Sequence, residues 1–174
     1  MQAVESQSLI LYHSDLRGQW PEEAAAALAL RALTELGGRQ VGAGELAFPD
    51  GGKPRLAHPA AEGFVGPDFS IAHSGHWVGC AAVAHGRVGF DVEVGTTERI
   101  TEWTAREAAL KACGLGLAAA REVELDDGRA VCRGVMLNAW PLELFAGAAA
   151  CVMTTAPVAR LAARALTLAE LFAA

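Results

Sequence analysis

The sequence predicts an α+β protein, because helical and strand-like segments follow one another along the chain in two groups. One helical pattern spans residues 21–38, opens on Pro with Glu in its first turn, and closes on Gly-Gly. A second spans residues 101–116 and also ends on glycine. The segment GHWVGCAAVA is echoed by FAGAAACVMTT. The echo indicates two similar halves, although two buried Ala-rich strands alone would also produce it.

The strands are predicted from alternation and from turn residues. SLILYHSDL, at residues 8–16, is the first strand, and ELAFPDGGKPRL, at 45–56, predicts a strand, a turn and an extended Lys-Pro-Arg segment. The later elements are three strands within 68–94, a hairpin within 122–137, a strand at 146–155 and a short tail helix or extended tail at 166–174. No low-complexity linker is present, so residues 1–95 and 96–174 are predicted to be two halves of one folded body.

Composition and charge exclude several classes of protein. Fourteen basic residues against 20 acidic ones give a net charge of −6, so binding to nucleic acid through bulk charge is not expected. The four cysteines form no CxxC and are interpreted as reduced core residues. The first residues lack the basic and apolar regions of a signal peptide, and no apolar stretch is long enough to span a bilayer. We therefore expect a cytoplasmic protein with neither nucleic acid nor membrane as a partner.

The stretch VGFDVEV places two carboxylates on one face of a strand. Side chains alternate along a strand, so Asp91 and Glu93 project from the same side. Two adjacent carboxylates suit a hard cation such as Mg²⁺, which takes oxygen ligands and substrate phosphates. An amphipathic strand with a solvated acidic face has the same pattern.

The stretch EWTAREAALKACG places Trp103, Glu107 and Lys111 on one stripe of the second helix. Glu107 could reach a metal or accept a proton, and Lys111 could face a phosphate. The same residues also form an ordinary i,i+4 ion pair, and Thr104 with Glu107 could form a capping box. This stretch alone does not separate these interpretations.

The stretch FSIAHSGH contains two of the five histidines. No G-x-S-x-G elbow frames its serines, so nucleophilic hydrolysis is poorly supported. His73, at a strand end, can contact a phosphate, whereas His76 is interpreted as a surface histidine. In GGKPRL, Lys53 and Arg55 are either solvated turn residues or an anion clamp.

The order of these motifs resembles that of one family. GKP, FSIAHSG, GFDVE and WTAREAALK, from about residue 53 to 116, are similar to the 4′-phosphopantetheinyl transferases, in particular the surfactin-synthetase-type subgroup. The resemblance implies two similar α/β halves, each a helix packed on an antiparallel sheet, with a coenzyme A site at their junction. It also implies transfer of the phosphopantetheine arm of coenzyme A to a serine of an acyl or peptidyl carrier protein. Such carriers serve fatty acid, polyketide or nonribosomal peptide biosynthesis, and the by-product is 3′,5′-ADP.

The resemblance implies that three residues bind coenzyme A. Lys53 and His73 match positions that contact its phosphates, and Lys111 matches the lysine that steadies the pyrophosphate. Arg55, two residues after Lys53, is expected to assist it as part of the anion clamp.

The resemblance also implies a Mg²⁺ site and a base. Asp91 and Glu93 match two metal ligands, and Glu107 matches a third ligand that is also the base for the carrier serine. The catalytic roles are thus expected of Glu107, Lys111 and His73. Phosphoryl transfer depends on positioning and charge stabilisation, which a cation, a lysine and a histidine supply.

Three departures from the family pattern are present, and two of them make the chain resemble a shortened member. The third is mild, because Arg106 before Glu107 keeps the charge of the usual lysine. Only nine residues, 94–102, separate GFDVE from Trp103, where relatives have a longer helical segment that helps receive the carrier protein. Arg17 is the single cation in DLRGQWPEEA, where relatives usually have a basic stretch.

Two alternatives to transfer remain open. One is a degenerate member of the fold that binds coenzyme A or a carrier protein without transferring anything. The other is an unrelated Mg²⁺-dependent phosphohydrolase that uses Asp91, Glu93 and His73.

Overall fold

The computed structural model describes residues 7–17, 21–49, 52–57 and 67–173, and it confirms a mixed α+β fold. The turn predicted at Asp50 and Gly51 lies outside the described residues, as does Ala174 at the end of the predicted tail. The described part of the chain contains no helix that is both long and apolar enough to cross a membrane.

The helices and strands have the following bounds. The helices are α1 (Pro21–Gly37), α2 (Glu98–Cys113) and α3 (Leu168–Leu171). The strands are β1 (Gln7–Asp15), β2 (Leu46–Ala47), β3 (Arg55–Leu56), β4 (Asp68–Ser74), β5 (Trp77–Val83), β6 (Val88–Val94), β7 (Val123–Asp126), β8 (Arg129–Cys132), β9 (Val135–Leu142), β10 (Ala148–Thr154) and β11 (Val158–Ala165).

Two large sheets are packed between two helices, and β2 and β3 form a separate two-stranded antiparallel sheet. The first sheet has the order β11-β1-β5-β4, and the second has the order β6-β10-β9-β8-β7. Helix α1 buries Leu28 and Ala32 against one face of the first sheet. Helix α2 buries Ala108 and Ala112 against the second sheet. The facing sides of the two sheets form a third apolar cluster that includes Phe90.

Each sheet takes one strand from the other predicted half. Strand β6 precedes residue 95 but belongs to the second sheet, whereas β11 lies beyond it and belongs to the first. Strand β11 runs parallel to β1, with Leu161 opposite Leu9, so the first sheet is mixed and not purely antiparallel. No strand is predicted there from the sequence, because VARLAARA lacks a regular alternation of apolar and polar residues. The division at residue 95 stays a prediction.

A glycine allows α2 to pack closely on β6. A Cβ atom at Gly89 would lie 1.8 Å from the carbonyl oxygen of Ala108 and 2.4 Å from the nitrogen of Ala112. Only a residue without a side chain fits at that separation. The contact sets the distance between β6 and the face of α2 that carries Glu107 and Lys111.

The second helix begins earlier than its sequence pattern predicts. Thr97 is its N-cap and accepts a hydrogen bond from the Ile100 nitrogen, so the helix starts at Glu98 and not at residue 101. Thr104 lies inside the helix, where its hydroxyl donates to the Ile100 carbonyl at 2.8 Å. The capping box proposed for Thr104 and Glu107 is therefore wrong.

Side chains close the edge of the second sheet where β6 lies beside β4. Asp68, Ser70 and Ser74 of β4 accept hydrogen bonds from the backbone nitrogens of Val88, Phe90 and Val94, at 2.7, 2.9 and 3.2 Å respectively. Lysines donate to carbonyl groups on the same edge: Lys53 to Val88 at 2.7 Å and Lys111 to Phe90 at 3.2 Å. The two sheets are thus joined by polar side chains at this edge.

Candidate functional site

A cleft of about 470 Å³ opens beside this edge, between β4, β6, the end of α2 and the segment around residue 53. Its ionisable lining comes from four separate segments of the chain. The ionisable residues that line it are Lys53, His73, Asp91, Glu93, Glu107 and Lys111. The cleft therefore brings together all but one of the residues predicted from the sequence.

Three carboxylates form the centre of the site. Asp91 and Glu93 extend from the same face of β6, as strand alternation predicts, and Glu107 faces them from α2. Each offers an oxygen that lies within 4.8 Å of the other two. Asp91 is only 3% exposed, so the alternative of a solvated acidic face is wrong for that residue.

The Asp91 carboxyl is incompletely satisfied. Its Oδ1 accepts a hydrogen bond from the Lys111 ammonium at 2.7 Å, but the buried Oδ2 has no hydrogen-bond partner among the described residues. Burial raises the pKa of Asp91 to about 7; Lys111 opposes that rise, and the nearby Glu107 carboxylate adds to it. The side chains of Asp91 and Glu107 can hydrogen-bond to each other only while one of them holds a proton. At neutral pH, a bound cation would satisfy the same oxygens without that proton.

Both lysines of the chain line this cleft, since Lys53 and Lys111 are the only two in the sequence. Lys111 pairs with Asp91 across the gap between helix and strand. The described residues show no ion pair between Glu107 and Lys111, so the proposed i,i+4 helix pair is not formed. Lys53 pairs with Asp68, and burial lowers its pKa, which the Asp68 carboxylate opposes.

Two further predicted residues differ in their placement. His73 is exposed at the end of β4 and lies on the cleft wall. Arg55 is exposed on β3 and is not among the residues that line the cleft, so the structure does not place it with Lys53 in an anion clamp. His76 is exposed, as predicted, with its ring centroid 4.7 Å from that of Trp77.

Ser74 is a site residue whose role was not found from the sequence. Its hydroxyl donates to the Glu93 carboxylate at 2.9 Å while accepting from the Val94 nitrogen at 3.2 Å. From its sequence motif, this serine is a candidate only for a nucleophile. The available signal was the polar residue at alternate positions of β4, at Asp68, Ser70 and Ser74, on a strand otherwise expected to be buried.

The end of α2 supplies an apolar wall. Gly114 caps the helix in the left-handed conformation at φ 68°, and the Leu115 nitrogen donates to the Leu110 carbonyl at 2.9 Å. This turn directs the chain along the cleft, so that Leu110, Leu115 and Leu117 line one side of it. The site thus combines carboxylates, two ammonium groups and an apolar surface.

Neither a family model nor a curated protein matches this chain.

Proposed function

We propose that this protein transfers the 4′-phosphopantetheine arm of coenzyme A to a serine of an acyl or peptidyl carrier protein and releases 3′,5′-ADP. The observation that carries the proposal is a convergence in space. Six residues whose roles are implied by the resemblance come from four segments of the chain and line one cleft. Chance similarity of short motifs would not require their side chains to meet.

Transfer of the phosphopantetheine arm requires a base for the serine proton and groups that stabilise the negative charge of the pyrophosphate. The carrier serine oxygen attacks the β-phosphorus of coenzyme A, and the bond from that phosphorus to the bridging oxygen breaks. The bridging oxygen leaves with the electron pair as part of 3′,5′-ADP. Glu107 is half-buried beside the other carboxylates and is the group proposed to accept the serine proton.

The three carboxylates would hold a divalent cation. Their oxygens suit a hard ion such as Mg²⁺, in particular the buried Oδ2 of Asp91, which no described residue hydrogen-bonds. When bound, Mg²⁺ would supply positive charge to the pyrophosphate oxygens. Ser74 would fix the orientation of Glu93 through its 2.9 Å hydrogen bond.

The cations of the cleft would bind the phosphates. Lys111 has a side chain that is 32% exposed and lies directly beside the carboxylates, which places it for the pyrophosphate. His73 is exposed, lines the same cleft from β4 and would face another phosphate. The same proposal places the protein in the cytoplasm, where coenzyme A is available; the four free cysteines agree with a reducing compartment.

A second candidate function is binding without transfer. Two observations favour it: Lys53 already pairs with Asp68 and donates to the Val88 carbonyl, and Arg55 lies outside the cleft lining. A protein with fewer phosphate contacts could hold coenzyme A or a carrier protein weakly and not react. A Mg²⁺-dependent phosphohydrolase is the third alternative, with water in place of the serine hydroxyl.

The test is direct mass measurement of carrier proteins. The protein is incubated with coenzyme A, Mg²⁺ and a panel of apo-carrier proteins, and each carrier is weighed intact. A gain of one phosphopantetheine arm, absent from carriers whose acceptor serine is replaced by alanine, supports transfer. If coenzyme A binds and no carrier in the panel gains mass, the binding-only function is favoured; free phosphate or 4′-phosphopantetheine released without a carrier indicates hydrolysis.

Matched variants separate catalysis from folding. Glu107→Gln should lower turnover by about 10²–10⁴, the usual contribution of a general base, and change coenzyme A binding much less. The control is Glu102→Gln on the same helix, because Glu102 pairs with Arg106 and is half exposed. Equal turnover in both variants would remove Glu107 from the mechanism.

A further inference from the structure

The Lys111 ammonium lies beside the three carboxylates, at the position that a bound cation would take. It crosses from α2 to Asp91 at 2.7 Å and also donates to the Phe90 carbonyl at 3.2 Å. Among the described residues it is the only cation that forms an ion pair with any of the three carboxylates. The other oxygen of Asp91 is buried and has no hydrogen-bond partner in the part of the chain that the structure describes.

One ammonium cannot balance three carboxylates. The oxygens of Asp91, Glu93 and Glu107 lie within 4.8 Å of one another, and like charges so close repel strongly in a partly buried site. A divalent cation would neutralise twice the charge and accept oxygens from all three residues at once. It would therefore compete with the ammonium for the same Asp91 carboxylate.

We infer that Lys111 is a stand-in for the divalent cation: its ammonium holds the carboxylate site while that site is empty, and cation binding releases the ammonium toward the cleft. The flexible lysine side chain, 32% exposed, lines that cleft and can move into it. Once released, the ammonium faces an anionic ligand and not its own carboxylate. Cation binding thus prepares the site for phosphate, which couples the two ligands. This inference rests on the metal site of the proposed function but requires no transfer reaction.

The chain contains a matched control in its other lysine. Lys53 also donates to a β6 carbonyl and also pairs with an aspartate, Asp68. Asp68 lies outside the three-carboxylate cluster. Removing Lys53 therefore removes an equivalent edge contact and the same charge, without freeing a carboxylate of the proposed cation site.

The first experiment measures Mn²⁺ affinity without any anion present. Mn²⁺ is titrated into the full chain and followed by its electron paramagnetic resonance signal. Lys111→Met should bind Mn²⁺ about tenfold more tightly or better, because removing a competing charge at contact distance strengthens cation binding. Lys111→Gln, which keeps a donor for the Phe90 carbonyl, should do the same if the methionine variant folds poorly. Lys53→Met should change the affinity by less than about threefold, since the Lys53 ammonium pairs with Asp68 and not with a carboxylate of the cluster.

The second experiment follows the lysines themselves. The parent protein is acetylated briefly at the amines, and peptide mass spectrometry reports the rate at each lysine. Added Mn²⁺ should raise the rate at Lys111 severalfold and leave the rate at Lys53 nearly unchanged. Asp91→Asn should raise the Lys111 rate without any metal, because it removes the ion pair.

The outcomes separate the inference from the proposed function. If Mn²⁺ binds the parent and Lys111→Met binds it no more tightly, or if Mn²⁺ protects Lys111 from acetylation, the stand-in role is overturned and the metal site survives. If Mn²⁺ binds neither the parent nor the Lys111 variants, the inference and the proposed metal site are overturned together. Tighter binding in both Lys111 variants, with Lys53→Met near the parent, supports the inference.

Discussion

Asp91→Asn should stabilise the metal-free protein at high pH while abolishing its response to Mg²⁺. The substitution keeps the shape of the protonated acid and removes the charge. Burial raises the pKa of Asp91 from 3.8 to about 7. Between those values the folded protein holds a proton that the unfolded chain has released, so the free energy of unfolding falls as the pH rises.

The raised pKa of Asp91 sets the size of the change in the free energy of unfolding. Three pKa units correspond to about 4 kcal/mol of lost stability, nearly all of it between pH 4 and pH 7. An asparagine side chain does not titrate, so the variant does not lose this stability as the pH rises. The variant and the parent should therefore differ little at pH 5, whereas at pH 8 the variant should be more stable by up to about 4 kcal/mol. Ionisable groups that do not interact with Asp91 titrate alike in both proteins and cancel in the difference, whereas Lys111 and Glu107 contribute to the difference because both interact with Asp91.

Urea unfolding followed by tryptophan fluorescence measures this difference in buffers that contain a chelator. With Mg²⁺ instead of chelator at pH 8, the parent should gain stability, by about 2.7 kcal/mol when the cation is at a hundred times its dissociation constant. Asp91→Asn should gain much less. The control is Asp127→Asn, an exposed residue of the β7–β8 turn, which should follow the parent at every pH. A difference between Asp91→Asn and the parent that is equal at pH 5 and pH 8 would refute the raised pKa. Equal stabilisation of both by Mg²⁺ would refute the metal site.

Three further changes test the architecture around the site. Gly89→Ala should cost about 1–3 kcal/mol or more, because the new methyl group meets the backbone of α2; Gly44→Ala, with open space around it, should cost far less in the same urea assay. Ser74→Ala should weaken Mn²⁺ binding about 10–100-fold through loss of the bond to Glu93. Ser74→Thr should restore most of that affinity, whereas Ser70→Ala should lower stability and leave Mn²⁺ affinity near the parent value, and the opposite ranking would contradict the positioning role. Finally, coenzyme A should bind more weakly to Lys111→Ala than to Glu107→Gln by calorimetry, and equal affinities would show that Lys111 does not face the ligand.

Much of the candidate site could be predicted because its residues follow simple periods. Alternation on a strand correctly placed Asp91 and Glu93 on one face, and helical spacing placed Glu107 and Lys111 on one stripe. Sequence could not choose the ion-pair partner of Lys111, because a helix neighbour four residues away is always available. The structure pairs it with Asp91, twenty residues away, since Gly89 brings strand and helix into contact.

The unpredicted parts depend on contacts between distant segments. Strand β11 is recognisable only once β1 is beside it, because its own residues are mostly Ala and Arg. Arg55 was assigned by its nearness to Lys53 in sequence, but it extends from β3 and does not line the cleft. Ser74 was missed because the polar alternation along β4 does not reveal that its hydroxyl contacts Glu93 on another strand.

Because side chains close the edge of β6, the lysines and the aspartate of the cleft differ in how well their presence indicates a working site. Lys53 and Lys111 donate to backbone carbonyls of β6, so the fold needs them to keep an open strand from recruiting other chains whether or not the cleft carries out a reaction. Asp91, in contrast, does not help the fold, because its buried carboxylate lowers the stability of the metal-free protein at neutral pH. Selection for folding alone would discard that carboxylate and keep the lysines. In related chains, an aspartate at this position is therefore the better marker of a working site.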